Sequence, residues 1–526
     1  MKEFNTTATC IPGKHYMVDI SERLYQIKTE YVDKGKYFTM NRGRQYGKTT
    51  TLYQLKKYLS DEYYVLLLSF EGKSGEFVNE SRFVRMFQED LLHQLEIANV
   101  PDNLQNVWKE SIAQEASVNQ LGKAITRLCR SSERPIILMI DEVDASSEYR
   151  IMLDFLGLLR NKYISASQEE DFTFQSVILS SVYDIKNLKL RFRPDEQHRY
   201  NSPWNIAADF DVDMAFTSDE IQGMIREYCI DHRLTIDLPM VAQQIYDYTS
   251  GYPYLVSRIC QLIDTTVRKE YEGNLEEAWS LNGFQRAVML LLSESNTLFD
   301  DLNKKLNDNA ELYRLIRKIV IDREEIPFNI QSNTIQLGSM FGWLRNSGGK
   351  TVITNRIFEV LICNKMIQEH VDDRIFTLGS SEKSQLKSAD CLYMDQIMER
   401  FAAHYHSIYG DRSADFLEKE ARLIFLTFIK PIINGEGNYY LESQEADSTR
   451  TDVIIDYHAK QYIVELKIWH GDIYEQRGIE QLAGYLDRHQ LTEGWLLSFC
   501  FNKNKQELTG FREYEMNGMR ILETVV

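Results

Sequence analysis

Short apolar runs alternate with longer amphipathic stretches from about residue 20 to residue 215 of the chain. Helical periodicity extends over Phe83–Leu95 and over Val118–Arg130. The apolar runs have the length of buried strands and lie at Tyr37–Met40, Tyr63–Phe70, Pro135–Ile140 and Phe174–Ser181. Strands that alternate with helices predict a parallel sheet with helices on both faces. The N-terminal part therefore has the pattern of an α/β fold.

A glycine-containing segment, Asn41–Thr50, joins the first apolar run to a helical pattern. Glycines let backbone N–H groups turn toward phosphate oxygens, Lys48 can reach the β- and γ-phosphates, and the Thr49 hydroxyl can hold Mg²⁺. The common pattern G-x-x-x-x-G-K-[ST] has glycine where Arg42 stands, and a Gly-Lys-Thr tripeptide alone also occurs by chance. We predict an ATP-binding P-loop whose contact residues are Gly43, Arg44, Gln45, Tyr46, Gly47, Lys48, Thr49 and Thr50.

Two acids, Asp141 and Glu142, directly follow the apolar run that begins at Pro135. Ligands bind beyond the carboxyl ends of parallel strands in open α/β sheets. We therefore expect Asp141 in a magnesium shell and Glu142 to orient or deprotonate the attacking water. A solvated acidic turn would look the same in isolation. The order and spacing of the two motifs favour the nucleotide site.

Composition restricts the class of protein. The 526 residues are 43% hydrophobic and 26% charged, as in ordinary globular domains. No apolar run of membrane-spanning length and no signal-peptide core are present, so we expect a cytoplasmic protein without membrane contact. The seven scattered cysteines form no C-x-x-C pair, which favours reduced thiols over disulfides or zinc. With a net charge of −18, any contact with DNA or RNA requires a local basic groove.

The pattern becomes helical after the N-terminal core, for which we set the bounds 1–215. Residues 216–278 contain two helical patterns on either side of Gly251–Tyr254, which suits a lid beside the nucleotide. Arg258, one turn into the second of these helices, is a candidate phosphate ligand. An exposed surface arginine is the alternative.

Three further regions follow the predicted lid. Residues 279–372 combine short helices with a strand pair, including a helix at Gln336–Leu344 and a strand at Lys350–Ile353, and this order predicts a winged-helix-like domain. Small polar residues within 373–390 predict a linker. Residues 391–526 would then form a separate C-terminal domain.

The C-terminal region contains a predicted hairpin of Arg450–Asp456 and Gln461–Lys467. The period of two places Glu465 and Lys467 on one face of the hairpin, and Asp452 begins the facing strand. Two carboxylates form a site for Mg²⁺ or Mn²⁺, and a lysine ammonium orients a water or stabilises the charge of a phosphodiester transition state. This arrangement is typical of a nuclease.

Helical patterns on both sides of the hairpin add candidates. Upstream, Glu420 would supply a third carboxylate to the metal site. Downstream, Arg477, Gln481 and Tyr485 follow at i, i+4 and i+8 on one helix face, and we assign Gln481 to the catalytic set. Alternating charges on an exposed hairpin would also produce the triplet of Asp452, Glu465 and Lys467. The flanking helices favour the nuclease interpretation.

These motifs together resemble a bacterial protein family with an N-terminal AAA-ATPase-like module and a C-terminal domain of the PD-(D/E)XK nuclease superfamily. Thr451 stands where the superfamily name has proline. The segments that carry the resemblance are Arg44–Thr49, Ile140–Glu142, Ser202–Ala207, Gly251–Tyr254, Thr451–Asp452, Glu465–Lys467 and Arg477–Tyr485. The resemblance implies an α/β chain with a P-loop NTPase parallel sheet, a helical lid, a winged-helix-like region and an α/β restriction-endonuclease-like domain.

The function expected from these motifs is an ATPase coupled to a nuclease. ATP and Mg²⁺ would bind the P-loop, Mg²⁺ or Mn²⁺ the second site, and DNA or RNA would be the partner that is cut. Because this class of ATPase often completes its site at a subunit interface, a homo-oligomer is also expected. The alternative is a nucleotide-switched binding or signalling protein whose nuclease-like domain is catalytically inactive.

Overall fold

A computed structural model of the chain describes residues 2–112, 116–146, 150–182, 204–322, 324–370, 373–409, 414–441, 453–468, 472–500 and 510–526. The chain forms two compact units. The first unit consists of Met1–Phe216, Tyr252–Tyr254 and Met340–Gly342. The second consists of Thr217–Gly251, Leu255–Ser339 and Trp343–Val526.

The first unit contains a four-stranded sheet in the order β1-β4-β3-β2, with every neighbouring pair parallel. Its strands are β1 (Phe38–Asn41), β2 (Tyr64–Ser69), β3 (Ile136–Asp141) and β4 (Ser176–Ser181). Every residue of β3 and β4 is buried, as expected for strands covered on both faces. The parallel α/β sheet predicted from the hydrophobic pattern is confirmed.

Of the described α-helices of the first unit, one precedes β1 along the chain and the others lie between the strands. Their bounds are α1 (Ser21–Ile27), α2 (Lys48–Leu59), α3 (Glu80–Ile97), α4 (Asp102–Ile112), α5 (Val118–Ser131) and α6 (Arg150–Ser167). The side chains of Asn79 and Ser117 accept backbone N–H groups at the starts of α3 and α5, which satisfies donors that have no partner within the helix. Both helices confirm the predicted periodicity.

After residue 216 the chain continues mainly as helices, most of whose residues belong to the second unit. Their bounds are α7 (Ser218–His232), α8 (Leu238–Thr249), α9 (Pro253–Leu262), the short helices Arg268–Glu270 and Leu275–Ala278, α10 (Leu281–Ser293), α11 (Thr297–Asp308), α12 (Ala310–Val320), α13 (Asn333–Met340), α14 (Arg356–His370), α15 (Asp373–Glu382), α16 (Met394–Tyr409) and α17 (Ala414–Ile433). A reciprocal capping box of Thr217 and Glu220 begins α7.

A small hairpin interrupts this helical region. Strands β5 (Leu344–Ser347) and β6 (Lys350–Ile353) pair antiparallel, and the predicted strand at β6 is confirmed. The helix predicted at Gln336–Leu344 instead ends at Met340, and Leu344 begins β5. Gly342 has a φ of +77°, a left-handed conformation that stops the helix before the hairpin.

The stretch predicted as a linker, 373–390, is helical over its first part. Helix α15 packs against α17 there. A Cβ atom on Gly379 would lie 2.3 Å from the carbonyl oxygen of Phe428. The small residues therefore permit close approach of two helices, and the linker prediction was wrong for residues 373–382.

The C-terminal part of the second unit contains a six-stranded mixed sheet in the order β11-β12-β10-β9-β8-β7. Its elements are β7 (Gly437–Tyr440), β8 (Val453–Tyr457), β9 (Lys460–Ile468), α18 (Asp472–Arg488), β10 (Glu493–Phe499), β11 (Gly510–Met516) and β12 (Met519–Val525). The predicted hairpin corresponds to β8 and β9, which pair antiparallel. Its two-residue turn places His458 at φ +45° and Ala459 at φ +58°.

All seven cysteines are free thiols in the structure. Within the described part of the chain, no helix has the length and apolar character needed to cross a membrane.

Candidate functional site

The loop after β1 accommodates an arginine at the position where the common P-loop pattern has glycine. The Arg42 guanidinium donates to the carbonyls of Val212 at 2.9 Å and Phe210 at 3.4 Å. It also lies 5.4 Å from the centre of the Phe210 ring. The positive φ values in this loop occur instead at Gln45, with +54°, and Gly47, with +77°. A glycine is therefore required later in the loop rather than at position 42.

Lys48 is buried at the start of α2, with 9% of its surface exposed. Its ammonium donates to the carbonyls of Arg42 and Gly43, both at 2.8 Å. Burial lowers the pKa of Lys48, while the nearby carboxylates of Asp144, Glu142 and Asp141 act in the opposite direction. A buried cation at a helix N-terminus is suited to bind phosphate.

Thr49 and Asp141 are brought together by the sheet. In the parallel register, Asn41 pairs with Ser181, so β1 and β4 end at the same edge of the sheet that β3 reaches with Asp141. The Thr49 hydroxyl donates to Asp141 Oδ2 at 2.6 Å, and Asp141 Oδ1 accepts the Glu142 N–H at 2.9 Å. A hydroxyl oxygen beside a buried carboxylate is a donor set that fits Mg²⁺.

Glu142 occupies a left-handed conformation with a φ of +54° directly after β3. Burial and the negative charge of Asp141 raise the pKa of Glu142, while the Lys48 ammonium opposes this shift. A raised pKa makes a carboxylate a better proton acceptor near neutral pH. The geometry is therefore compatible with the predicted role of Glu142 as a base.

The end of β4 contributes polar groups beside these acids. Ser181 Oγ donates to Asp144 Oδ1 at 2.7 Å, and the Val182 N–H donates to Asp144 Oδ2 at 2.5 Å. The Ser180 side chain is buried, and its Oγ has no hydrogen-bond partner among the described residues. A buried hydroxyl without such a partner can donate a hydrogen bond to a bound ligand. Sequence reasoning assigned no role to Asp144, although it lies three residues after Asp141.

Other predicted P-loop residues contact protein groups. The Thr50 hydroxyl accepts the backbone N–H of Cys10 at 3.2 Å. The Tyr46 ring lies 4.7 Å from the ring of Tyr252, centre to centre, and the Tyr252 hydroxyl donates to the carbonyl of Arg44. Tyr252 belongs to the first unit and was not predicted to contact the loop.

Arg258 lies in the second unit. Its guanidinium forms an ion pair with Glu294 at 2.5 Å and donates to the side chain of Gln261. The contacts that the structure gives Arg258 are therefore with protein groups. Its predicted contact with phosphate stays a prediction.

A second charged cluster lies at β9 and α18. The Glu465 side chain is 1% exposed, and its Oε1 lies 2.8 Å from the Lys467 ammonium. The same ammonium donates to Gln481 Oε1 at 3.0 Å. Gly478 lies on the helix face against Lys467, where an added Cβ would be 3.5 Å from Lys467 Cγ. The structure therefore brings together Glu465, Lys467 and Gln481, which were predicted as one catalytic set.

The other predicted ligands of this metal site are Asp452 and Glu420, and the structure shows neither of them in the cluster. Asp452 lies outside the described residues. The Glu420 carboxylate forms an ion pair with Arg317 at 2.7 Å, which neutralises the charge that a metal ligand would supply. Among the residues whose positions are described, no group of three His, Cys, Asp or Glu side chains has the arrangement of a metal site.

The parallel sheet, the loop with its buried lysine and the acidic end of β3 define a P-loop nucleotide-binding module. A sequence family described as AAA-like domain matches residues 15–362. The chain belongs to this family. The ATPase part of the resemblance is thereby confirmed, whereas the match ends at residue 362, before the domain that was predicted to be nuclease-like. No curated protein matches the sequence.

Solved structures give further matches at low identity. A Walker-type ATPase of Pyrococcus abyssi is 13% identical, with a TM-score of 0.44, over 68% of this chain and 99% of that protein. The ORC1 protein of Aeropyrum pernix, solved in complex with DNA, is 12% identical, with a TM-score of 0.29, over 68% and 95%. A mutant of the RuvB protein of Thermotoga maritima is 11% identical, with a TM-score of 0.31, over 64% and 92%.

Proposed function

We propose that the protein binds and hydrolyses ATP in its AAA-like domain and thereby controls metal-dependent cleavage of DNA or RNA in its C-terminal region. The observation that carries the ATPase half is the direct hydrogen bond between Thr49 and Asp141 at 2.6 Å, beside the buried ammonium of Lys48. Thr49 follows β1 and Asp141 ends β3, and the two strands finish at one edge of the sheet. This edge is where parallel α/β sheets bind their ligands.

Each residue of the nucleotide site has a distinct chemical role in this proposal. Lys48 would bind the β- and γ-phosphates, and Thr49 with Asp141 would hold Mg²⁺. Mg²⁺, when bound, neutralises charge on the phosphates. Glu142 would accept a proton from the attacking water, and its raised pKa suits this task. Ser180 would donate its hydroxyl hydrogen to a phosphate oxygen.

The nuclease half rests on the contacts among Glu465, Lys467 and Gln481. Asp452 directly precedes Val453 in the chain, and Val453 pairs with Val464, the neighbour of Glu465. Asp452 and Glu465 would hold Mg²⁺ or Mn²⁺, which supplies charge stabilisation to a phosphodiester transition state when bound. Lys467 would orient the water or stabilise developing charge, and Gln481 would hold the lysine in place.

Three wider features belong to the same proposal. The acidic chain, with a net charge of −18, would contact nucleic acid through a local groove rather than through its overall field. We place the protein in the cytoplasm, in keeping with its composition. A homo-oligomer would complete the ATPase site at a subunit interface.

A second candidate function is a nucleotide-switched binding protein with an inactive nuclease-like domain. The observation in its favour is that protein cations already neutralise two of the proposed metal ligands. Lys467 pairs with Glu465, and Arg317 pairs with Glu420. A metal ion would compete with these cations for the carboxylate oxygens.

One set of assays separates the candidates. In the first assay, ATP hydrolysis by the purified whole chain is measured. In the second, cleavage of plasmid DNA and of RNA is measured with Mg²⁺ or Mn²⁺, in the presence and in the absence of ATP. Glu465→Gln is the matched variant in both assays. Metal-dependent cleavage that Glu465→Gln loses supports the nuclease half. ATP hydrolysis without metal binding at the second site and without cleavage supports the switched binder. A protein that binds no ATP refutes both.

A further inference from the structure

Three consecutive carbonyl groups of the P-loop accept hydrogen bonds from side chains. The carbonyls of Arg42 and Gly43 accept from the Lys48 ammonium, and the carbonyl of Arg44 accepts from the Tyr252 hydroxyl. A loop that turns its N–H groups toward phosphate must turn its carbonyls away from it. Buried carbonyls in such a loop each need a donor elsewhere. The loop conformation therefore depends on both side chains.

The Tyr252 side chain is enclosed by protein at this position. It is fully buried, and its ring meets Tyr46 nearly edge-on, with an interplanar angle of 73°. A Cβ atom on Gly342 would lie 3.7 Å from Tyr252 Cε2, so Gly342 also packs against the Tyr252 ring. We call Tyr252, Phe341 and Gly342 the P-loop brace. All three residues belong to the first unit, as the loop does.

The brace also explains why Gly43 is needed. A Cβ atom at this position would lie 2.8 Å from the carbonyl oxygen of Phe341 and 3.4 Å from the Tyr252 hydroxyl. The first distance is shorter than side chains tolerate against backbone, so glycine is required by the brace. The loop lacks the glycine of the common pattern at Arg42, and its close approach to neighbouring backbone occurs one residue later.

A bound nucleotide would affect the hydrogen bonds donated by Lys48 and by Tyr252 differently. Phosphate oxygens compete for the Lys48 ammonium, because an ionic hydrogen bond is stronger than one to a neutral carbonyl. The carbonyls of Arg42 and Gly43 then share their donor with the ligand. The carbonyl of Arg44 would keep its hydrogen bond from the Tyr252 hydroxyl, because a neutral hydroxyl attracts phosphate less strongly than an ammonium does.

We propose that Tyr252 is a positioning residue that holds the P-loop in the shape that binds nucleotide phosphates. The proposal rests on the ATP binding proposed above. It extends the nucleotide site to a residue that acts through the backbone of Arg44 rather than by touching the ligand. Loss of one neutral hydrogen bond corresponds to roughly two- to tenfold weaker ATP binding.

The test compares Tyr252→Phe with Tyr37→Phe in the full chain. Tyr37 is also buried in the first unit, and its hydroxyl donates to the carbonyl of Phe174 at 3.2 Å, beside Thr173. Tyr37 directly precedes β1, whereas the P-loop follows it. Both variants keep the ring and lose one hydroxyl. Calorimetry with ATP and with ADP, steady-state hydrolysis and thermal unfolding are measured for each.

We expect both variants to lose similar thermal stability, and only Tyr252→Phe to weaken nucleotide binding. Its KM for ATP should rise more than its kcat falls, because the loop shape and not the chemistry is changed. Equal affinity of Tyr252→Phe and the wild type would overturn the proposal. Wild-type protein that binds no nucleotide would instead remove the proposed function itself.

Gly43→Ala provides a second test that does not depend on how well Tyr252→Phe folds. The added methyl group would displace the Phe341 carbonyl or the loop, so ATP binding should weaken while Tyr252 keeps its hydroxyl. Unchanged ATP affinity in Gly43→Ala would show that the contacts of the brace do not shape the loop. That result would also overturn the proposal.

Discussion

Glu142→Gln tests the proposed base directly. The substitution keeps the size of the side chain but removes its capacity to accept a proton. The backbone contact is retained as well, because the Glu142 N–H that donates to Asp141 at 2.9 Å is unaffected. Gln and Glu have similar conformational energies at a φ of +54°, so the turn after β3 should persist in the variant.

The substitution should change the rate of hydrolysis, the affinity for ATP and the stability of the protein in different ways. Removal of a general base lowers the rate of hydrolysis by about 10²- to 10⁴-fold. ATP binding should be kept or strengthened, because Glu142 adds negative charge near the phosphates. The pKa of Glu142 is raised by burial and Asp141, so its ionised form is disfavoured in the folded protein. The neutral variant should therefore be more stable than the wild type at neutral pH.

The pH dependence follows from the same shift. The ionised wild-type glutamate loses its destabilising charge as the pH falls through its raised pKa, so the difference in stability between variant and wild type should disappear at acidic pH. Wild-type hydrolysis should decline over the same range, because the base becomes protonated. Thermal unfolding and phosphate release, each measured as a function of pH, check these two trends.

Glu71→Gln is the matched control. Glu71 is exposed, and its charge contributes to the raised pKa of Glu142 without taking part in the proposed reaction. This variant should hydrolyse ATP. A Glu142→Gln protein that hydrolyses ATP at the wild-type rate would refute the assignment of the base.

Further substitutions test the remaining sites. Lys48→Ala should weaken ATP binding by roughly 10- to 100-fold, the value of a charged hydrogen bond, and calorimetry with unchanged affinity would contradict the P-loop assignment. Glu465→Ala should eliminate metal-dependent cleavage without changing ATP affinity, whereas Lys467→Ala should keep metal binding and lose on the order of a hundredfold in cleavage rate. A variant that cleaves as fast as the wild type in a gel assay would exclude its residue from the proposed catalytic site. Ala459→Gly should stabilise the protein by about 0.5–1 kcal/mol, because the turn holds this residue at positive φ. The control Ala403→Gly, in an exposed position of α16, should destabilise the protein by about 1 kcal/mol. If the free energy of unfolding, measured in urea, changes with the same sign in both variants, the argument is refuted.

Local signals in the sequence predicted much of the fold. Buried strands such as β3 are short and continuously apolar, and the helices α3 and α5 carry the period of their buried face. These features depend on neighbours along the chain. The pairing of Glu465 with Lys467 was predictable for the same reason, because residues two apart on a strand share a face.

Contacts between distant residues were beyond the sequence pattern. Tyr252 lies 208 positions from Arg44, and the ion pair of Glu420 joins it to Arg317 over 103 positions. Nothing in the local pattern shows that Glu420 has a cationic partner. Small residues were also ambiguous, since Gly379 serves helix packing although its surroundings have the composition of a linker.

The strand order has a consequence for how the chain folds during synthesis. β1 carries the P-loop near the N-terminus, yet its partner in the sheet is β4, where Phe38 pairs with Ile178. The loop can acquire a paired strand only after the ribosome has released that later segment. Tyr252 and Phe341 emerge later still. ATP can therefore stabilise the nascent protein as a bound ligand only when most of the AAA-like domain has been made.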